Sequence, residues 1–156
     1  MITQRSLWNI ALAVAMLAVA ACASDPTRPQ GGAAPTVGDR AVAVALDQVG
    51  TPYRYGGDSP RGFDCSGLVH FAYREAGLGV PRTTAELWSA AETVGTRQLQ
   101  AGDLLFFSIA GKMSHVGMYI GAKRFVHAPQ SGRTVEVTSM DMPFYRSALI
   151  RAGRLY

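Results

Sequence analysis

Near Gly102 the spacing of apolar residues changes, and this change limits the fold more than any other feature of the chain. Before it, apolar residues recur three and four apart; after it, they form short runs and alternations bounded by turn residues. Ala41, Val44, Ala45 and Gln48 to Val49 mark a first helical stripe, with Thr36, three residues before Asp39, placed to cap it. A Gly- and Pro-rich loop over residues 50–62 follows. Leu68, Val69, Ala72, Tyr73 and Ala76 then give a second helical face that starts at Asp64 or Cys65 and closes at Gly77. Thr83 and Glu86 have capping-box spacing and open a third helix through Leu87, Trp88 and Ala91, expected to stop at Gly95. Beyond Gly102, residues 104–107, 116–120, 125–128, 134–137 and 148–151 read as about five strands. Helices followed by consecutive strands predict an α+β domain, N-terminal helices packed on an antiparallel sheet, rather than alternating βα units. Gly56-Gly57 is not a phosphate loop, because no GxGxxG or GK[ST] pattern accompanies it.

The N-terminal region obeys different rules. Arg5 precedes an apolar run over residues 7–20 that is short for a permanent membrane span and reads as a signal peptide, residues 1–21. Val19-Ala20-Ala21-Cys22 is similar to the lipobox of bacterial lipoproteins, in which the cysteine is acylated and becomes the mature N-terminus. Residues 22–38 hold Pro, Gly, Ala, Ser and Thr with few large apolar side chains, the composition of a flexible tether behind a lipidated Cys22. One globular domain, 39–156, is expected. The net charge of +4 is dispersed, with no block of like charges, so no nucleic-acid arm is indicated. Nothing marks an oligomeric interface, and a monomer is the default expectation.

The chain has two cysteines, so acylation of Cys22 leaves Cys65 as a lone exported thiol, either buried and inert or kept for reactivity. Its polar, glycine-flanked setting, Asp64-Cys65-Ser66-Gly67, favours reactivity. At a helix start, free N–H groups and the positive end of the helix dipole stabilise a thiolate and can hold an oxyanion. A thiol that attacks an amide needs a base, and there are three histidines. His70 lies five residues on, about 140° around the helix, and does not face the thiol. His115 opens an apolar strand and His127 lies on the next; adjacent strands would let His115 act as base and His127 hold its ring. The only asparagine is Asn9, in the signal segment, which excludes a Cys-His-Asn triad. No CxxC or HxxxH spacing supports a metal site, and no G-x-S-x-G elbow supports a serine hydrolase.

Taken together, Thr51-Pro52-Tyr53-Arg54-Tyr55-Gly56-Gly57, Asp64-Cys65-Ser66-Gly67, Pro81-Arg82-Thr83, Gly102-Asp103-Leu104, His115-Val116-Gly117-Met118-Tyr119-Ile120-Gly121 and Phe125-Val126-His127-Ala128 resemble, in order and spacing, the NlpC/P60 family of peptidoglycan cysteine peptidases. The short lipoprotein layout is similar to Gram-negative murein endopeptidases. The resemblance implies a papain-like α+β fold, Cys65 as nucleophile, His115 as base and His127 as orienting residue, with no metal or organic cofactor. It also implies that Tyr53 assists the oxyanion or the substrate, and that Asp64, Ser66 and Ser114 hold a stem peptide, although Asp64 serves equally as a helix cap. The implied substrates are peptidoglycan stem peptides, cut at the D-alanine to diaminopimelate crosslink or between γ-D-glutamate and diaminopimelate. The lipobox cysteine and the Ala23 after it point to the periplasmic face of the envelope, with attachment to the outer membrane through the N-terminal lipid. A silent wall-binding module and a thiol acyltransferase on the same fold are the rival readings.

Overall fold

The computed structural model describes residues 34–156; the signal segment, Cys22 and most of the tether lie outside the described residues. Helix α1, Val37–Leu46, opens with a reciprocal capping box: Asp39 N–H donates to Thr36 Oγ1 (3.0 Å) and Thr36 N–H donates to Asp39 Oδ2 (2.9 Å). Its small buried residues, Ala41 and Ala45, let it pack closely against α2, Cys65–Glu75, whose inner face is Leu68, Val69, Ala72 and Tyr73. Arg40 of α1 fixes the pair by donating to the Ala76 carbonyl at the end of α2 (3.2 and 3.3 Å). Helix α3, Thr84–Ala90, carries the capping box expected from Thr83 and Glu86.

Six antiparallel strands form the sheet, in the order β3-β8-β4-β5-β6-β7: β3 is Glu92–Val94, β4 Leu104–Ile109, β5 Lys112–Gly121, β6 Arg124–His127, β7 Glu136–Ser139 and β8 Leu149–Arg154. A separate two-residue hairpin, β1 (Asp58–Ser59) with β2 (Gly62–Phe63), stands ahead of α2. The α+β architecture and the antiparallel sheet agree with the sequence reading, and several details differ: α1 ends at Leu46 rather than Val49, the 50–62 loop holds the β1–β2 hairpin, and the last strand runs Leu149–Arg154. The third helix stops at Ala90, and Glu92–Val94 pairs with β8 as an edge strand. Strand β7 begins at Glu136 rather than Thr134, because Thr134 is held in an isolated bridge to Pro52. A short helix α4, Pro143–Ala148, precedes β8; it has Pro at its first turn and no side-chain cap.

Both faces of the sheet are covered. Leu104, Phe106, Val116, Met118 and Val126 meet the helices, whereas Leu105, Phe107, Phe125, Ala148 and Ala152 form a second cluster with Tyr145 and Leu149. The unbroken apolar run 104–107 reflects this burial on two sides. Arg151 ties α3 to the sheet: its guanidinium lies 4.0 Å from the Trp88 ring centroid and donates to the carbonyls of Trp88 (2.6 Å) and Ala91 (2.9 Å). The ends of this region meet. Tyr156 donates to the Ala101 carbonyl (2.6 Å), and a Cβ built on Gly38 would lie 2.3 Å from the Tyr156 hydroxyl oxygen, so only glycine fits there.

Candidate active site

Cys65 is the first residue of α2, and Asp64 is its cap: Asp64 Oδ1 accepts from Gly67 N–H (2.7 Å). The same carboxylate accepts Gly56 N–H at Oδ2 (2.9 Å) and a bidentate pair from Arg82 (2.9 and 2.8 Å). Ser66 Oγ donates to Asp64 Oδ1 (3.3 Å) and accepts from Arg82 (3.1 Å), so its hydroxyl supports this pair from the inside. Burial alone would raise the Asp64 carboxyl; the Arg82 guanidinium and the two amides outweigh it and hold the group below the usual carboxylate range.

The sulfur sits against the backbone on either side of His115. Cys65 Sγ is 4.0 Å from the Ser114 carbonyl and faces the Val116 N–H, with Thr84 Oγ1 at 3.7 Å. A bulge in the pairing of β4 with β5 at Phe107/Ser108 lets Ser114 bow out toward the cysteine. Within hydrogen-bonding range the thiol thus has Thr84 and a carbonyl as partners rather than an imidazole nitrogen. Burial pushes the Cys65 thiol up, opposed by Thr84, Val116 and Ser66 and reinforced by the Asp64 charge. The thiolate expected from the helix start is outweighed at rest by desolvation and a neighbouring carboxylate.

Adjacent strands bring the two histidines together. His115 Nε2 and His127 Nδ1 are 2.8 Å apart, and both rings are buried. Burial pushes His115 down to about 4, and burial with the neighbouring His115 and Arg133 pushes His127 down to about 3, so both are neutral near pH 7. Two residues the sequence did not single out extend the pair: His127 Nε2 lies 3.1 Å from Thr138 Oγ1, which donates to Glu136 Oε1 (3.5 Å). A carboxylate oxygen accepts, so the long Thr138–Glu136 contact favours one arrangement of protons along the chain. Thr138 gives its proton to Glu136 and accepts from His127 Nε2–H; His127 Nδ1 then accepts from His115 Nε2–H. In this arrangement the lone pair left free among the described residues is His115 Nδ1. His70 takes no part, its Nδ1 lying 2.8 Å from the Val80 carbonyl.

A cleft of about 510 Å³ exposes Cys65. Tyr53, Asp64, Ser66 and Ser114 line it, together with Arg82 and Thr84. Burial, with the Asp64 carboxylate and Cys65 once ionised, raises the Tyr53 phenol, which stays a hydrogen-bond donor. Arg82 and Thr84 lay within or beside the motif Pro81-Arg82-Thr83, but no local signal ties a loop arginine to a carboxylate 18 residues away. Among the described residues, no group of three or more His, Cys, Asp or Glu side chains could hold a metal ion.

Residues 50–154 match the model of the NlpC/P60 family. The chain belongs to the NlpC/P60 family. The Murein DD-endopeptidase MepH of Escherichia coli (strain K12) is 38% identical over 121 residues, covering 74% of this chain and 45% of MepH. The Gamma-D-glutamyl-L-lysine dipeptidyl-peptidase of Bacillus subtilis (strain 168) is 33% identical over 111 residues, covering 69% of this chain and 38% of the relative. This NlpC/P60 chain thus spans less than half the length of either relative. Among solved structures, an NlpC/P60 family protein from Bacillus cereus ATCC 10987 superposes with a TM-score of 0.72 at 32% identity, over 83% of this chain and 43% of the other. The NlpC/p60 domain of the peptidoglycan hydrolase SagA superposes with a TM-score of 0.66 at 36% identity, over 75% of this chain and 97% of that domain. The papain-like fold inferred from the sequence motifs is the fold of these NlpC/P60 neighbours.

Proposed function

We propose that this chain is a peptidoglycan endopeptidase that hydrolyses an amide through a thioester on Cys65. The observation that carries the reading is a thiol at a helix start, in an open cleft, against the backbone of a histidine whose Nδ1 lone pair is left free by the Thr138–Glu136 chain. In the first step His115 Nδ1 takes the S–H proton as sulfur attacks the carbonyl carbon. The sulfur leaves Thr84 for the imidazole as substrate enters, since catalytic hydrogen bonds tighten in the Michaelis complex. The N–H groups at the start of α2 and the Tyr53 hydroxyl face the developing oxyanion. His115 returns the proton to the leaving nitrogen, the C–N bond breaks, and a thioester remains. Water, deprotonated by the same nitrogen, then attacks the thioester; the carboxylate product leaves and the thiol is restored.

We take the D-alanine to diaminopimelate crosslink as the first substrate, supported by the name of the 38% identical relative. The γ-D-glutamate to diaminopimelate bond is the second reading, supported by the relative named for a γ-D-glutamyl bond. We also propose that Cys22 is acylated, residues 22–38 tether the domain, and the lipid holds it at the periplasmic face of the outer membrane. This would raise its local concentration at the wall.

Mass spectrometry of purified peptidoglycan fragments after incubation with the protein tests the reading. Conversion of crosslinked dimers to monomers, absent with Cys65→Ala and His115→Ala and retained with His70→Ala, is expected. Shortening of stem peptides to dipeptides instead selects the second bond. No thiol-dependent change, from protein shown to be folded, overturns hydrolysis in favour of wall binding or acyl transfer.

A further inference from the structure

A second cavity, of about 630 Å³, is lined by His115 and is unused by the chemistry above. Ser114 lines the cysteine cleft, and His115, the next residue of β5, lines this one. The walls differ in character. The second cavity is lined by the apolar side chains of Val137, Met142 and Phe144, the last two about half exposed (49% and 54%), and by Arg133. Arg133 is held by Glu136, the carboxylate that ends the histidine chain, yet 55% of its side chain is exposed. Only its Nη2 bonds within the protein among the described residues, leaving guanidinium N–H groups for an anion.

The reaction itself assigns a side to each cavity. A proton carried by His115 must reach the leaving nitrogen, so the part of the substrate that departs as an amine lies over the imidazole. The part that becomes the thioester lies over Cys65 and the Asp64–Arg82 pair. Resting on the proposed hydrolysis, we infer that the second cavity binds the departing amino acid, with Arg133 taking its free carboxylate and Val137, Met142 and Phe144 taking its methylene chain. Diaminopimelate, the amine-side residue of both candidate bonds, has both features: an unbranched aliphatic spacer and a carboxylate beyond the scissile amide. Position also favours Arg133, because the loop that bears it is fastened to the cysteine cleft: Tyr53 N–H donates to the Arg133 carbonyl (2.8 Å), and Thr134 bridges Pro52. A carboxylate on Arg133 therefore shares one rigid frame with Tyr53.

The test compares two synthetic substrates with the same acyl part, one whose leaving diaminopimelate has free carboxylates and one in which they are carboxamides. The wild-type protein is expected to prefer the carboxylate substrate by about tenfold or more in kcat/KM, the range of one charge-assisted contact. Arg133→Gln should bring that ratio close to one, and Arg133→Glu should reverse it. A wild-type protein that cleaves both substrates equally, or a ratio unchanged in folded Arg133→Gln and Arg133→Glu, overturns the assignment of this cavity and leaves the hydrolysis reading intact. Absence of Cys65-dependent cleavage of either substrate by wild type overturns both.

Discussion

The resting site holds a neutral thiol and a neutral imidazole, and the direction of proton transfer between them depends on where His115 keeps its hydrogen. Thr138 and Glu136 decide this without touching the thiol, as positioning residues acting through His127. Thr138→Val keeps the shape and removes the hydroxyl, so His127 Nε2–H loses its hydrogen-bond acceptor, with the Glu136 carboxylate left at 3.6 Å, and the ring can turn its other tautomer toward His115. Turnover should fall about tenfold, roughly 1.4 kcal/mol in the barrier, with KM little changed, and Thr138→Ser should restore most of it. Steady-state kinetics on a soluble crosslinked fragment would measure both. A uniform loss in Thr138→Val that serine does not rescue would mean packing rather than tautomer control.

Among the elements, α2 shows how much local sequence decides and where it stops deciding. Its apolar spacing, the Asp64 cap and the stop near Gly77 were legible, and so were both capping boxes, because each depends on residues three or four apart. The pairing of His115 with His127 was legible for the same reason, since neighbouring strands in an antiparallel sheet are usually neighbours in sequence. Arg82, Thr138 and Glu136 were not found as site residues, because what they touch is chosen by tertiary packing. The edge strand Glu92–Val94 was hidden by its partner, β8, which lies some 60 residues further on. Helix α4 has no side-chain cap to announce it. Gly67 shows the same limit in reverse. Alanine there should favour the helix by about 1 kcal/mol, yet a Cβ on Gly67 would lie 1.9 Å from the Gly57 carbonyl, which is also held by Arg82. Gly67→Ala is expected to destabilise the protein by about 2 kcal/mol or more and to spread the Asp64–Arg82 pair. Thermal denaturation would detect the first effect and slower alkylation kinetics of Cys65 the second.

At the scale of the whole molecule, the two buried histidines make stability depend on acidity. Each has a folded value below the usual 6.5 of the unfolded chain, so the unfolded state binds more protons between those values. Their contribution is intact above pH 6.5 and is lost as pH falls toward about 4 for His115 and about 3 for His127. His115 alone corresponds to about 3 kcal/mol across that window. Urea denaturation at pH 7 and pH 4.5 should show a marked drop at the lower pH, reduced in a folded His127→Gln variant. The contact of Gly38 with Tyr156 over the Ala101 carbonyl bears on a different property, the ease with which such a unit is carried between proteins. A polypeptide that enters and leaves a fold at one doorway can be spliced into a host chain much as a cassette is: the host's own segments rejoin across a short gap, and the cleft is left undisturbed.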